Sequence, residues 1–236
     1  MSHSDSRITS LWGSNTYSDR VEFPSPGNPG YGGRMEEGTQ IGQFYIWKYA
    51  GVTEEGKWLV YDKNDNIILA DNRKYEDKRY IGNAIPAVIA SWNHSFRYRN
   101  ITLGINMRSW IDFDVFNTVN MYYGLATNTG LNVLRSAYIE NRYIKQEKVL
   151  CDYWLEDGTF LKIDAISIGY TLDMKKWQKI IDNIHVFFTA RDAACFSMYS
   201  GLNPEVNING VDVGYEWFNS LYPRTARFTL GAKITF

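Results

Sequence analysis

Hydrophobic and polar residues alternate with a period of two over the last ten residues of the chain, RFTLGAKITF. One face carries Phe228, Leu230, Ala232, Ile234 and Phe236, and the other carries Thr229, Gly231, Lys233 and Thr235. Because successive side chains of a strand point to opposite faces, this pattern predicts a strand over 225–236. Two environments produce such a strand. One is a soluble sheet with a single buried face, and the other is a membrane barrel with lipid outside and water inside.

The same alternation predicts three further long strands or hairpins. A hairpin covers 88–110 with its turn near Arg99 and Asn100, and single strands cover 160–172 and 184–196. Each arm of the hairpin has about ten residues, which suffices to cross a bilayer when tilted, whereas strands of soluble proteins usually have about five or six. The apolar phase changes near Ala165, which predicts a β-bulge.

Weaker patterns predict smaller elements. RITSLWG (7–13) reads as a partial strand, GQFYIWKYAG (42–51) and KWLVYD (57–62) read as a hairpin, and 173–183 reads as a short helical turn.

Short and long connectors follow one another along the chain. The connectors at 98–101 and 173–183 are short or moderate, whereas 14–86, 111–159 and 197–224 are long and rich in aromatic residues, Asn and Gly. Outer-membrane barrels alternate in the same way, with short periplasmic turns and long outer loops. The pattern therefore predicts an all-β fold, an antiparallel transmembrane β-barrel segment. About five or six spanning strands cannot close a barrel unless further strands join them.

Composition narrows the function. Lys and Arg total 25 against 26 Asp and Glu, which argues against a nucleic-acid partner, since such surfaces are basic. The 17 Tyr, 12 Phe and 8 Trp suit boundaries between apolar and wet regions. No stretch approaches the ~18 apolar residues of a membrane-spanning helix, and the first residues contain no apolar signal core.

Catalytic and metal motifs are not found. The three histidines are scattered, Cys151 and Cys195 are predicted to be unpaired, and no nucleophile-elbow motif occurs. YDKNDNIILAD (61–71) lacks the glycine and the final acid of a calcium loop, so it is predicted to be an Asx-rich surface turn. We therefore predict no enzyme activity, no cofactor and no metal.

Six stretches, in their order and spacing, carry a resemblance to a known family. They are EEGTQIGQFYIWKYAGV (36–52), DKRYIGNAIP (77–86), FRYRNITLGINMRS (96–109), DGTFLKIDAISIGYTL (157–172), YSGLNPEV (199–206) and YPRTARFTLGAKITF (222–236). Together they resemble the C-terminal part of the SusC/RagA family of TonB-dependent outer-membrane transporters of Bacteroidetes.

The resemblance implies a large barrel with an N-terminal plug that TonB gates, capped by a SusD-like lipoprotein that captures glycans or peptides. The plug and the TonB box are absent from this chain, so residues 1–236 are expected to be the C-terminal portion of such a barrel. Its expected place is the outer membrane of a Gram-negative cell, and its expected function is nutrient import, with oligosaccharide or peptide as cargo. Its expected partners are the lipoprotein, membrane lipid, TonB acting through a plug outside this chain, and the outer-membrane assembly machinery.

Three sets of residues are candidates for functional contact. Contact with a ligand or partner is predicted for Tyr122, Tyr123, Tyr199, Tyr215, Glu216 and Trp217. The alternative interpretation is that these residues pack the long loops upon themselves. Membrane-girdle positions are predicted for Trp92, Tyr98, Trp110 and Tyr170, which lie near strand ends. The resemblance implies an outer-membrane assembly signal at Phe228, Leu230 and Phe236. The alternative for the whole chain is a soluble β-sandwich module that binds glycans, which would have shorter and more evenly spaced strands.

Overall fold

The computed structural model of the chain describes residues 1–2, 6–13, 16–23, 30–127, 130, 132–174, 180–217 and 222–236. Strands account for 48% of it and helices for 8%, so the predicted all-β class is confirmed. The strands are β1 Tyr17–Glu22, β2 Tyr31–Glu36, β3 Phe44–Ile46, β4 Tyr49–Val52, β5 Trp58–Tyr61, β6 Ile67–Leu69, β7 Arg79–Ile81, β8 Val88–Tyr98, β9 Ile101–Ile111, β10 Asp114–Asn117, β11 Leu155–Asp157, β12 Phe160–Asp173, β13 Asn183–Ser197, β14 Tyr215–Glu216 and β15 Arg227–Thr235. Helix α1 is Thr118–Tyr123, and 3₁₀ turns cover Ala70–Asn72, Tyr75–Asp77, Arg135–Ala137 and Asp152–Trp154.

Five long strands form one antiparallel sheet in the order β15-β13-β12-β9-β8, here called the long-strand sheet. The predicted hairpin turns at Arg99, whose φ of 51° lies in the left-handed region that tight hairpins need. The predicted bulge is also present, because the register of β12 shifts between Ile163 and Ala165 against both neighbours. Within the described ranges no sheet closes into a barrel, and β8 and β15 are the two edges of this one.

Along the direction of its strands, the long-strand sheet has two ends. The long connectors leave one of them, here called the long-connector edge, and the short connectors leave the other, here called the short-turn edge. At the short-turn edge Tyr98 pairs with Ile101, and Asp173 pairs with Asn183. The long connectors follow β9 and β13 at the opposite edge, where residues 1–87 also precede β8. The predicted alternation of connectors is confirmed. The helical turn predicted within 173–183 falls largely on residues 175–179, which lie outside the described residues.

The long connectors fold into a structure of their own. We call it the loop body, and it comprises the described residues of 16–87, 112–159 and 198–217. It contains the sheets β1-β2-β3-β7, β4-β5-β6 and β11-β10-β14. β10 pairs with β14 in parallel, an exception to the antiparallel rule that the sequence pattern does not reveal.

Aromatic rings fill the core of the loop body. Trp58, Trp154, Phe23, Phe44 and Phe116 are all fully buried in one cluster. The rings of Trp58 and Trp154 meet edge to face with their centroids 5.7 Å apart, a favoured geometry for aromatic pairs. The loop body is therefore packed as a soluble protein core is packed.

A hydrogen bond attaches the loop body to the long-strand sheet. The Ser197 hydroxyl, at the end of β13, donates to Thr159 O of the loop body at 2.8 Å. A second buried cluster, built around Phe113, Val115 and Phe160, continues the packing into the first residue of β12. The two parts thus meet at the long-connector edge.

Two expectations for smaller elements need correction. Residues 7–13 do not form a strand, because Arg7 makes only an isolated bridge to Gln40. The predicted hairpin over 42–62 is present only in its second half: β4 pairs with β5, whereas β3 belongs to another sheet. No helix in the described ranges is long and apolar enough to cross a membrane.

Candidate functional site: a two-faced sheet and its loop body

One face of the long-strand sheet is apolar across all five strands. A single row runs through Phe96, Leu103, Ile168, Phe188 and Leu230, each paired with the next. Ile168, on the central strand, is 50% exposed, and Leu230, at the edge, is 76% exposed. Soluble monomers rarely expose a continuous apolar patch of this kind, so the face marks a contact with membrane or protein.

Three of the four predicted girdle residues lie on this apolar face. Tyr98 and Tyr170 flank Ile101 at the short-turn edge, and all three are exposed. Trp92 pairs with Met107 and lies six residues before Tyr98, which corresponds to about 20 Å along a strand. Two rows of amphipathic rings at such a spacing resemble the two aromatic girdles of membrane barrels. Their contact with lipid headgroups stays a prediction.

Trp110 does not fit the girdle prediction. It pairs with Ile89 and Phe160, and so lies on the opposite face from Tyr170. Its ring packs against Phe113 and Phe160, with centroids 5.9 and 5.3 Å apart. The alternation of the sequence already predicts this face, because Trp110 and Arg108 both occupy even positions of β9. Its place is in the packing between the sheet and the loop body.

The other face of the sheet is polar, and it carries a network of ion pairs near the loop body. Lys162 is at the centre: its side chain is 5% exposed, and its Nζ lies 2.9 Å from Asp192 and 3.3 Å from Glu205. Arg108 binds Asp164 at 3.0 Å and Glu205 at 2.6 Å. Asp164 follows Lys162 by two residues and lies 3.8 Å from its Nζ, and the bulge there changes the phase, so that Ile166 returns to the apolar face.

Residues from the last long connector complete the network. Arg224 binds Glu205 at 2.8 Å, and Arg227 binds Asp192 at 3.2 Å. Glu205 therefore joins the loop body to the sheet through Arg108, Lys162 and Arg224. Sequence reasoning missed Glu205 and Arg224, because their contacts depend on how the loop folds. The pairing of Arg108 with Lys162 across β9 and β12 follows from the register.

The predicted ligand-contact residues lie inside or beside the loop-body core. Tyr122, Tyr199 and Tyr215 are buried, and Glu216 is fully buried, whereas Tyr123 and Trp217 are half-buried. The Tyr215 hydroxyl donates to Gly32 O at 2.8 Å, far away in sequence. In this chain the buried residues serve the packing of the loops. A contact with ligand or partner stays a prediction, with Tyr123 and Trp217 the more accessible.

Two carboxylates, the buried Glu216 and the half-buried Glu156, hold the turn at 199–203. Glu216 accepts hydrogen bonds from the Tyr199 hydroxyl at 2.7 Å and from Asn203 N–H at 2.8 Å. Glu156 accepts from Ser200 N–H and from the Asn117 amide, both at 2.8 Å. Burial raises the pKa of Glu216, although the hydrogen bonds from Tyr199 and the Asn203 amide oppose the shift. Glu216 is thus held as a structural acceptor, and it is closed off from a sugar by its own neighbours.

The 61–71 turn and the two cysteines have structural surroundings that match the sequence predictions. Asp62 accepts from Asn64 N–H and Asn66 N–H, both at 2.8 Å, which is the predicted Asx turn. Cys151 is buried and Cys195 is exposed, and both are unpaired. Across the described ranges, no three His, Cys, Asp or Glu side chains are placed to hold a metal ion.

With this geometry in place, comparisons with known proteins identify a class. No family model matches the chain. TonB-dependent receptor P3 of Formosa agariphila is 22% identical over 242 aligned positions, which cover 86% of this chain and 23% of that receptor. TonB-dependent receptor SusC of Bacteroides thetaiotaomicron is 24% identical over 210 positions, which cover 84% of this chain and 20% of that receptor.

Solved structures show the same fold. The structure of the RagAB peptide transporter matches 98% of this chain with a TM-score of 0.77 at 18% identity. The RagAB peptide importer in its closed-closed state matches with a TM-score of 0.70 at 17% identity. The resemblance to SusC/RagA-type TonB-dependent receptors is therefore confirmed. The chain spans about a quarter of the RagAB chain and about a fifth of the two receptors.

Proposed function

We propose that residues 1–236 form the C-terminal barrel segment of an outer-membrane, TonB-dependent nutrient importer. The long-strand sheet supplies part of the barrel wall, and the remaining strands, the plug and the TonB contact come from outside this chain. The segment has no enzymatic role. The observation that carries the proposal is the apolar face of the sheet, which is exposed over five long strands.

Lipid explains that apolar face. Exposing apolar surface to water costs about 25 cal/mol of free energy per Å². Contact with the hydrocarbon of a bilayer removes this cost. Only helices and closed barrels span a bilayer, because every backbone polar group must find a partner there. The outer edges of β8, beyond the bridge from Ser2 to Ile89, and of β15 therefore pair with strands from outside this chain. The polar face with its ion network lines the lumen.

The loop body faces outward in this arrangement, since it stands on the long-connector edge. There it meets a SusD-like lipoprotein and the cargo, which is an oligosaccharide or a peptide. Support for the partner and the cargo comes from the resemblance to SusC and to the RagAB peptide transporter. Tyr123 and Trp217 are the accessible members of the predicted contact set.

Strand β15 also serves in assembly. Phe228 and Leu230 in β15 and Phe236 directly after it are 69%, 76% and 77% exposed, and within the described residues the outer edge of this strand is unpaired. An exposed edge with apolar residues is a template for pairing with another strand. We propose that the outer-membrane assembly machinery reads these three residues before the barrel closes.

Membrane extraction tests the proposed function. The full chain is refolded in detergent, reconstituted into phosphatidylcholine vesicles and washed with alkaline carbonate, which removes peripheral proteins. We expect the chain to stay in the vesicle pellet. A double variant with Ile105→Arg and Ile168→Arg should move to the supernatant, because both charges enter the apolar face.

The matched control places the same charges on the polar face. Asn106→Arg with Ser167→Arg should stay in the pellet with the unmodified chain. A chain that is a monomer in plain buffer and washes off the vesicles would support the soluble glycan-binding sandwich and exclude the membrane proposal. The sandwich is not favoured, because within the described ranges no second sheet covers the apolar face.

A further inference from the structure

A cleft of about 690 Å³ opens on the surface of the loop body. One wall is β4 with the turn that follows it, and the other is the segment 140–145 with Tyr153. Tyr49, Tyr143 and Tyr153 are among the residues that line it, and the Arg142 guanidinium lies over the Tyr143 ring, 4.6 Å from its centroid. None of the six residues in the predicted contact set above lines this cleft.

Hydrogen bonds hold the two walls of the cleft together. Lys145 N–H donates to Gly56 O at 2.9 Å, and the indole of Trp58 donates to Glu147 O, also at 2.9 Å. Gly56 has a φ of +84°, and a Cβ on it would lie only 2.5 Å from Tyr143 O. Only glycine allows the turn to approach the other wall so closely. The cleft is therefore part of the fold and needs no ligand to form.

Two of the aromatic rings that line the cleft are also held in place. Tyr49 and Tyr153 lie with their centroids 5.0 Å apart and their planes at 58°. The Tyr153 hydroxyl donates to the side-chain oxygen of buried Asn141 at 2.5 Å, which anchors the far end of that ring. Rings that are held in place before binding lose little conformational freedom when a ligand stacks on them.

The rim of the cleft carries four charged side chains. Glu54 and Glu140 are negative, and Arg142 and Lys145 are positive, so the rim is balanced. Among the described residues, the side chains of Glu54, Glu140 and Lys145 form no hydrogen bond or ion pair. They are exposed and available to a ligand.

We propose that this cleft binds a neutral oligosaccharide. Flat aromatic faces match the apolar face of a pyranose ring, and long charged side chains on the rim can hydrogen-bond to its hydroxyl groups. A rim without net charge favours a ligand without net charge. The inference rests on the proposed function, because it gives the nutrient importer a contact for cargo.

The structure favours a sugar over a peptide at this position. A peptide that docks as an added strand needs free backbone groups on an exposed strand edge. β4 is the edge strand beside the cleft, but Tyr49 N–H already donates to the Asp152 carboxylate at 2.5 Å. The first docking point for an added strand is therefore occupied.

Titration calorimetry on the full chain in detergent micelles tests the proposal. The probes are maltohexaose, xylohexaose, laminarihexaose and mannohexaose, with an end-blocked neutral hexapeptide as the peptide arm. We expect at least one hexasaccharide to bind, and Tyr143→Ala to weaken it roughly three- to tenfold, the loss of one ring contact. Tyr143 is 60% exposed, so its removal leaves the fold intact.

Tyr138→Ala is the matched control. Tyr138 is 66% exposed, precedes the segment 140–145 and does not line the cleft, so its removal should leave binding unchanged. The proposal is overturned if no hexasaccharide binds, if the peptide binds more tightly than every sugar, or if both variants lose affinity equally. Vesicle extraction is independent of sugar binding, so a failed cleft and a failed membrane segment give different results.

Discussion

The long-strand sheet and the loop body treat their hydrophobic residues in opposite ways. Leu230 of the sheet is 76% exposed, whereas Trp58 of the loop body is fully buried. In the sheet, apolar residues alternate with polar ones and form a continuous outer face. In the loop body, large aromatic rings pack against one another from three small sheets.

The difference is the one that the proposed membrane segment predicts, because such a chain meets two solvents. The loop body forms its own core, as a protein in water does. The sheet leaves the apolar side chains of one face exposed, which is the arrangement that suits hydrocarbon. Substitutions that affect one region and spare the other test whether the two regions differ in this way. The following three are ordered from the largest expected effect to the smallest.

Removing a core ring should give the largest effect, and only in the loop body. Trp58→Ala is expected to lower the free energy of unfolding of the loop body by about 3–5 kcal/mol, because it leaves a large cavity. Limited proteolysis of the vesicle-bound chain should then cut residues 30–87 and 132–159 faster, while the long strands stay protected. Trp12→Ala is the control, since Trp12 is 96% exposed, and it should change little. Equal loss of protection in both regions would show that they unfold as one unit.

A charge on the apolar face should give the next largest effect. Ile105→Arg is expected to cost about 2–4 kcal/mol near the lipid midplane, whereas its neighbour Asn106→Arg, on the polar face, should cost within about 0.5 kcal/mol. Urea titration of the chain in lipid vesicles, followed by tryptophan fluorescence, measures both. If the two variants unfold at the same denaturant concentration, the two faces do not differ in environment.

The smallest effect is a pH dependence confined to the loop body. Lys78 is 5% exposed, and its amine donates to Tyr31 O at 2.5 Å beneath the rings of Trp47 and Tyr75. Burial lowers the pKa of Lys78 to about 7, with nearby Asp19 opposing the shift and Arg34 adding to it. Between about pH 7 and the unfolded value of 10.5, the unfolded chain holds one proton more than the folded one. The stability that this group contributes is fully present above about pH 10.5 and is lost progressively as the pH falls from there to about 7.

Melting of the loop body between pH 7 and pH 8.5 measures this contribution. Lys78→Met should remove a slope of about one proton from the stability curve. Lys63→Met is a suitable control, because Lys63 is an exposed lysine that pairs with Glu76 at the surface. An unchanged slope in Lys78→Met would mean that Lys78 stays charged in the fold.

The sequence predicted the sheet much better than the loop body, for a physical reason. Each long strand has one environment per face, so period-two alternation persists over its whole length, and even the bulge beside Asp164 is visible as a change of phase. The strands of the loop body are short, and β14 has only two residues, Tyr215 and Glu216, so no period can develop. Their places are set by distant contacts, such as the bond from the Tyr215 hydroxyl to Gly32.

The candidate sites divide along the same line. The strand pattern fixes the face of Trp92, Tyr98 and Tyr170, and their girdle role stays a prediction. Trp110 lies on the other face, because nearness to a strand end was weighed above its even position. Glu216 was selected for the ring beside it, but its neighbours Tyr199 and Asn203 enclose it.

Spin-label accessibility tests the central claim most directly, namely that one face of the long-strand sheet contacts lipid and the other contacts water. Nitroxide labels are placed singly at Ile168 and at its neighbour Ser167 through cysteine substitutions, with Cys151 and Cys195 replaced by serine, in the vesicle-reconstituted chain. We predict that the label at 168 collides with oxygen, which is concentrated in lipid, more than with a water-soluble nickel chelate, and that the label at 167 shows the reverse. Equal collision ratios at 167 and 168 would contradict the account.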